Sequence, residues 1–280
     1  MLVAQLTDTH IRPEGVLAYG RVDTARYLEA AVAHILALDP KPDMVIVTGD
    51  LTDRDLPEEY ARFRALTARL PMPMLPVPGN HDSTAGLLAA FPEVAARTVG
   101  PRAHYVVEGD DLRVILLDTT VTGAPHGELG ADGLVFLDRA LAAHPGKPAL
   151  VCGHHPPFLT GIRHMDAQNL RDGAALEEVV RRHPQVVSLT FGHVHRAITT
   201  TFAGVAASIA PAPAHAVSLD LAPDAPPTFH MEPPSLALHL WDDGRLVTHR
   251  DFIGAFPGPY PFFGADGAII DPAESPALTD

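Results

Sequence analysis

The sequence predicts an α/β fold with parallel strand pairing, on three observations. Apolar, β-branched runs alternate with amphipathic helical segments through residues 2–77, each run stops at a turn rich in Gly and Asp, and the same alternation resumes up to residue 191. Residues 2–7 read as a short buried strand that ends in an acidic turn. Residues 22–38 carry Leu28, Val32, Ile35 and Leu36 at helical spacing, with Asp23 placed as the N-cap. Met44 to Val47 is a β-branched run ending in Thr48-Gly49-Asp50. A helix over 57–70 has Pro57 in its first turn, where the missing N–H removes no bond. A third strand, 74–77, ends in Pro78-Gly79-Asn80-His81-Asp82.

The second half continues with a hairpin (104–108 and 112–118), a helix over 132–143 and a buried strand at 149–152 running into Gly153-His154-His155. A helix over 173–182 precedes a strand at 186–191 that ends in Gly192-His193-Val194-His195. Segments 197–202, 205–210, 236–241 and 245–252 read as antiparallel strands completing a second sheet. Seven prolines between 211 and 234 predict a long irregular loop. The tail from Gly254, with Phe256, Tyr260, Phe262 and Phe263, reads as an arm packed on its own domain or on a neighbouring subunit.

Composition narrows the function. Lys and Arg total 20 against 34 Asp and Glu, a net charge of −14 over 280 residues. Duplex binding draws on a basic face, so neither a nucleic-acid polymer nor an anionic membrane is an expected partner. Cys152 is the single cysteine, which excludes an internal disulfide and a thiolate zinc cluster. The N-terminus has no basic leader and no apolar run approaches the ~20 residues that span a bilayer, so a cytoplasmic location is expected.

Five strand ends terminate in metal-binding side chains: Asp8-Thr9-His10, Gly49-Asp50, Gly79-Asn80-His81-Asp82, Gly153-His154-His155 and Gly192-His193-Val194-His195. The gaps between their first donors are 42, 30, 74 and 39 residues, far longer than a local zinc-finger spacing. They meet only if the strands lie side by side with their carboxyl ends on one rim, where open α/β sheets place ligands. Any one block alone reads as turn chemistry. All five together, each at a strand terminus, point to a metal centre. Mixed imidazole and oxygen donors suit Zn, Fe, Mn, Co or Ni. Seven side chains exceed the needs of one first-row ion and match two ions sharing a carboxylate, ~3.5–4 Å apart.

The chain resembles the calcineurin-like metallophosphoesterases, whose blocks run Asp-x-His, Gly-Asp, Gly-Asn-His-Asp or -Glu, Gly-His and Gly-His-x-His; all five occur in order from Asp8 to His195. Within that superfamily it is most similar to the compact bacterial phosphodiesterases of the cyclic-nucleotide and glycerophosphodiesterase types. Tyr19-Gly20, Pro57-Glu58-Glu59-Tyr60, the His215 loop and Gly258-Pro259-Tyr260 resemble the latter, and Asp53 in Gly49-Asp50-Leu51-Thr52-Asp53 the former. The resemblance implies a four-layer sandwich of two mixed β-sheets flanked by helices. It implies Asp8, His10 and His195 on a first metal, Asn80, His154 and His193 on a second, and Asp50 bridging both, with Fe, Mn, Zn or Co as the ions. The domain expected is 1–253, with an irregular cap at 211–235, followed by an arm at 254–280.

The expected activity is hydrolysis of small phosphodiesters, glycerophosphodiesters or 3′,5′-cyclic nucleotides. Two cations add about four positive units and Asp8 and Asp50 cancel two, so the site attracts an anionic diester despite the acidic surface. Metal binding drops the pKa of water from 15.7 towards ~7, making a bridging hydroxide available for in-line attack on phosphorus. His81 is expected beside the phosphoryl or leaving oxygen as stabiliser or acid, with Asp82 taking its other N–H. Asn80, His81, His215 and Tyr19 are the expected substrate contacts; Arg21 reads as either a site or a solvent residue. His155 reads as packing rather than ligand, and His164, His183, His230, His239 and His249 carry no spacing signal. The alternatives are a phosphomonoesterase or protein phosphatase on the same metals, or a scaffold that has lost the chemistry; the latter predicts broken ligands, and every matched ligand is intact. A homo-oligomer is expected from the aromatic arm.

Overall fold

The structure is a computed structural model describing residues 1–265 and 267–270. Its first half contains β1 (Leu2–Leu6), α1 (Thr24–Ala37), β2 (Met44–Thr48), α2 (Pro57–Thr67), β3 (Met74–Val77), α3 (Thr84–Ala90), α4 (Pro92–Ala95), β4 (Tyr105–Glu108), β5 (Arg113–Leu116) and α5 (Gly130–Ala142). The remainder contains β6 (Ala149–Cys152), α6 (Arg163–Asp166), α7 (Gly173–Arg182), β7 (Val186–Phe191), β8 (Ile198–Phe202), β9 (Val205–Ile209), β10 (Ala216–Val217), β11 (Phe229–His230), β12 (Ser235–Asp242) and β13 (Arg245–Phe252). A five-stranded sheet runs β13-β12-β1-β2-β3, a six-stranded sheet runs β4-β5-β6-β7-β9-β8, and β10-β11 form a small ribbon. Both large sheets are mixed: β1-β2-β3 and β5-β6-β7-β9 are parallel, and the outer pairings are antiparallel.

Strand period decides the layers. Successive residues of a strand face opposite sides. In β5 and β6, Val114, Leu116, Leu150 and Cys152 join the core shared with the first sheet, whereas Ile115, Ala149 and Val151 join the core under α5 and α7. The helical stripe of α1 (Leu28, Val32 and Ile35) covers the other face of the first sheet. The order is helices, sheet, sheet, helices. Burial accounts for Cys152, whose thiol is pushed up by desolvation and behaves as a small core residue.

One polar group pierces the apolar interior. Gln5 of β1 is fully buried, and its amide donates to Thr48 Oγ1 of β2 (2.8 Å) and to the Phe191 carbonyl of β7 (3.1 Å). Its Oε1 accepts from Thr190 Oγ1 of β7 (2.7 Å) and from His239 Nε2 of β12 (2.9 Å). All four hydrogen-bonding positions of the side chain are satisfied, as burial demands, and the amide ties the two sheets together.

Three expectations change. The strands at 236–241 and 245–252 do not join those at 197–210. The hairpin β12-β13 pairs antiparallel with β1 in the first sheet, and β8-β9 extends the second through β7. The cause is β1, almost wholly buried, whose edge opposite β2 would otherwise hold unpaired backbone groups. Asp23 does occupy the N-cap of α1 but makes no side-chain cap bond; instead the Thr24 hydroxyl donates to the His10 carbonyl (2.9 Å), anchoring the helix to the Asp8–His10 turn. In the expected arm 254–280, residues 266 and 271–280 lie outside the described residues. In its described part Phe256, Phe262 and Phe263 are exposed rather than packed on their own domain. Among the described residues no helix is long and apolar enough to cross a membrane.

Candidate metal centre

The turns leaving β1, β2, β3, β6 and β7 lie along the carboxyl rim of both sheets, because those five strands are parallel within their sheets. Nine non-glycine residues among the described ones have positive φ, and five of them are Asp8 (53°), His10 (42°), Asp50 (49°), His193 (73°) and His195 (57°). Side chains rarely adopt this left-handed region, and strain of this kind concentrates where a site demands a particular direction. The intervening glycine at 79 is required by space: a Cβ there would fall on the Asp50 carboxylate and backbone nitrogen.

The donors converge. His10 Nε2 lies 3.2 Å from His195 Nε2 and 3.6 Å from Asp50 Oδ2, and His195 Nε2 lies 3.4 Å from Asp8 Oδ1. Toward the same Oδ2 oxygen comes His154 Nε2, 3.4 Å away and 3.1 Å from Asn80 Oδ1, and the His193 ring centroid is 5.1 Å from that of His154. Asp8, His10, Asp50 and His154 are essentially buried, and His193 and His195 nearly so.

Tautomers are set from behind. His154 Nδ1 donates to the Thr48 carbonyl (2.8 Å) and His195 Nδ1 to the His215 carbonyl (3.3 Å), leaving both Nε2 lone pairs aimed at the centre. His193 Nε2 is buried with no hydrogen-bond partner at all. An imidazole nitrogen stranded in this way, beside carboxylates and other lone pairs, fits a pair of borderline divalent cations. The electrostatics agree. Burial opposes ionisation of Asp50, but His154, His81 and His10 outweigh it and hold its carboxyl well below the usual range. Burial, and then the Asp50 charge, push Asp8 up to about 6 against the pull of His154. His154 rises to about 9, burial being overcome by Asp50, whereas burial and the neighbouring His154 take His193 down to about 3. Carboxylates and imidazoles are thus crowded into protonation states that cations would relieve.

The expected second tier divides. His81 N–H donates to Asp50 Oδ1 (2.8 Å) and its Nδ1 donates to the Asp53 carbonyl (2.9 Å), so its Nε2 edge is free. Asp82 does not orient His81. Its buried carboxylate accepts from the backbone N–H groups of Leu51, Thr52 and Gly79 and from the hydroxyl of Thr52, bracing the Asp50 loop against the Asn80 turn. The peptide N–H groups of these two tight turns point at Asp82, and the His81 ring lies beyond its reach. His155 is engaged by Thr119 Oγ1 (2.7 Å) and the Pro125 carbonyl (3.2 Å), as packing requires. Arg21 is exposed and does not line the site.

Above the centre lies a cavity of about 450 Å³ lined by His10, Asp50, Asn80, His81, His193 and His195 at its base. Tyr19, His215 and Phe229 form one wall, their rings 5.2–5.3 Å apart, so the proline-rich loop does bring His215 to the site. Met165, Gln168 and His164, on or just after α6, form another wall. Phe229, Met165 and Gln168 escape sequence reasoning because they lie on short elements with no motif or period.

A sequence profile of calcineurin-like phosphoesterases matches residues 1–197. The chain belongs to the calcineurin-like phosphoesterase family. It is 41% identical over 273 residues to a probable glycerophosphodiester phosphodiesterase from Arcobacter nitrofigilis, covering 97% of this chain and 100% of that one. It is 36% identical to a probable cyclic nucleotide phosphodiesterase from Rhodopseudomonas palustris, covering 88% and 90%. A dimetal phosphatase from Danio rerio superimposes with a TM-score of 0.70 at 15% identity, covering 91% of this chain and 96% of that one, which shows a shared fold. Family membership makes the chain a phosphoester hydrolase.

Proposed function

We propose that the chain is a binuclear metal-dependent phosphodiesterase acting on small diesters, glycerophosphodiesters before cyclic nucleotides. One observation carries this reading: a single carboxylate oxygen, Asp50 Oδ2, lies within reach of a member of each half-set of donors, 3.6 Å from His10 Nε2 and 3.4 Å from His154 Nε2. Asp8, His10 and His195 would hold one ion and Asn80, His154 and His193 the other, drawn from Fe, Mn, Zn or Co. When bound, such a pair supplies Lewis acidity toward the phosphoryl oxygens and acidifies water toward neutrality.

The chain's own groups do the rest. Asp8 and Asp50 are the only acidic side chains of the half-sites, so a diester monoanion is attracted once two cations are in place. Asn80 and His81 border the phosphoryl position, and the free Nε2 edge of His81, when protonated, donates to a non-bridging oxygen or gives its proton to the departing alkoxide. Tyr19, His215 and Phe229 exclude water from one side and pack one alcohol arm. A cavity of about 450 Å³ suits a small-molecule diester. We infer that residues 1–253 act as one catalytic unit capped by 211–235. The exposed aromatics after 254 support a homo-oligomer.

The test is metal-stripped protein reloaded with Mn, Co, Zn or Fe and assayed on bis(p-nitrophenyl) phosphate, p-nitrophenyl phosphate, a glycerophosphodiester and a cyclic nucleotide. Diesters are expected to be cleaved with far higher kcat/KM than the monoester. Strong monoester preference, or no diester cleavage with any metal, would falsify the reading.

A further inference from the structure

The cleft does not end at the aromatic wall. A second cavity, about 350 Å³, opens on the far side of Asn80 and His81, which line both. Its walls are Asp53, Arg54, Asp55, Ser83, Thr84, Thr120, Val121 and Thr122. A phosphodiester has two alcohol arms. Because both cavities share Asn80 and His81, a phosphoryl group held there with one arm against Tyr19 and Phe229 would find this second cavity open to its other arm.

The chemistry of this second cavity is set by Asp118, buried beneath it. Its carboxylate accepts from Thr84 Oγ1 (2.5 Å), Thr120 Oγ1 (2.6 Å), Thr120 N (2.9 Å) and Ala103 N (3.0 Å). Both threonine hydroxyls therefore spend their protons on Asp118. At their 3.3 Å separation neither has one left for the other, and each keeps lone pairs for a ligand. The cavity is a hydroxyl acceptor. Its carboxylates are already committed: Asp53 faces His10 and Arg12, and Asp55 accepts from Tyr60 and from Ser83 N. A neutral donor fits better than a cation.

We propose that this cavity is a specificity site for a polyol arm, with Thr84 and Thr120 accepting hydrogen bonds from the hydroxyls of a glyceryl-type group. The proposal rests on the phosphodiesterase reading and adds to it the direction in which the diester lies.

The test compares two diesters with one leaving group, glyceryl p-nitrophenyl phosphate and n-propyl p-nitrophenyl phosphate, on metal-loaded protein. The ratio of their kcat/KM values reads the two hydroxyls alone. Wild type is expected to favour the glyceryl ester by about tenfold, the scale of one or two net hydrogen bonds. Thr84→Val and Thr120→Val should bring the ratio to about one, and Thr120→Ser, which keeps the hydroxyl, should restore it. Folding of each variant is checked by its melting temperature. A wild-type ratio near one, or an unchanged ratio in both valine variants, overturns the polyol site while leaving the phosphodiesterase intact. Turnover of neither ester by any metal-loaded wild type overturns both.

Discussion

At Asp53 two duties meet on one carboxylate: Oδ1 lies 3.4 Å from His10 Nδ1, and Oδ2 lies 3.3 Å from the Arg12 guanidinium. Burial alone would raise this carboxyl; His10 and Arg12 bring it below its ordinary range. The carboxylate thus faces the Nδ1 edge of the imidazole whose Nε2 lies toward Asp50. Asp53→Asn is expected to weaken metal binding or activity roughly 10–100-fold, the usual effect of removing such a support. Competition with a fluorescent chelator measures it, and wild-type affinity in the variant would mean that His10 is oriented otherwise. At this scale the convergence of side chains was legible in the sequence where spacing and residue type coincide, as for Asp8, His10, Asp50, Asn80, His154 and His195. Asp82 was misread because adjacency in the chain suggests a partnership with His81 that the tight turn prevents.

Among the elements, the strand-end turns matter most, because five of the seven donors sit at left-handed backbone positions. Gly79 shows how little room is left. A methyl group there would meet the Asp50 carboxylate and its peptide nitrogen, and the backbone atom cannot yield. Gly79→Ala is expected to lower stability by about 1–3 kcal/mol and to reduce bound metal below two ions per chain, read by elemental analysis. Full metal content in a folded Gly79→Ala protein would contradict this. The strands carrying the turns were readable because β2 is an unbroken buried run, the mark of a central parallel strand. The sheet membership of β8-β9 and β12-β13 was not, since two hairpins of alternating pattern look alike until the open side of β1 is known.

For the whole molecule, the Gln5 amide is the joint between sheets, and it sits directly below the metal centre: Thr48 is two residues before Asp50, and Phe191 two before His193. Gln5→Met keeps the volume but takes the acceptor away from Thr190 Oγ1 and His239 Nε2, so a loss of about 1–3 kcal/mol is expected in urea unfolding. His239, at the far end of that network, is fully buried, and burial takes its pKa down to about 4. Above its ordinary value of 6.5 it is neutral whether the chain is folded or not. As pH falls from 6.5 to about 4 only the unfolded chain takes up the proton, so stability drops by on the order of 3 kcal/mol. Chelator-treated His239→Gln protein should show a shallower fall over that window than chelator-treated wild type; parallel curves would remove His239 as a cause.

The register of β1 against β12, Leu2 opposite Leu240, also bears on how the chain is made. The strand that delivers Asp8 and His10 leaves the ribosome early, yet its second flank arrives only after more than two hundred further residues. Until then a nascent chain carries an apolar ribbon with one bare side, a natural substrate for holding chaperones.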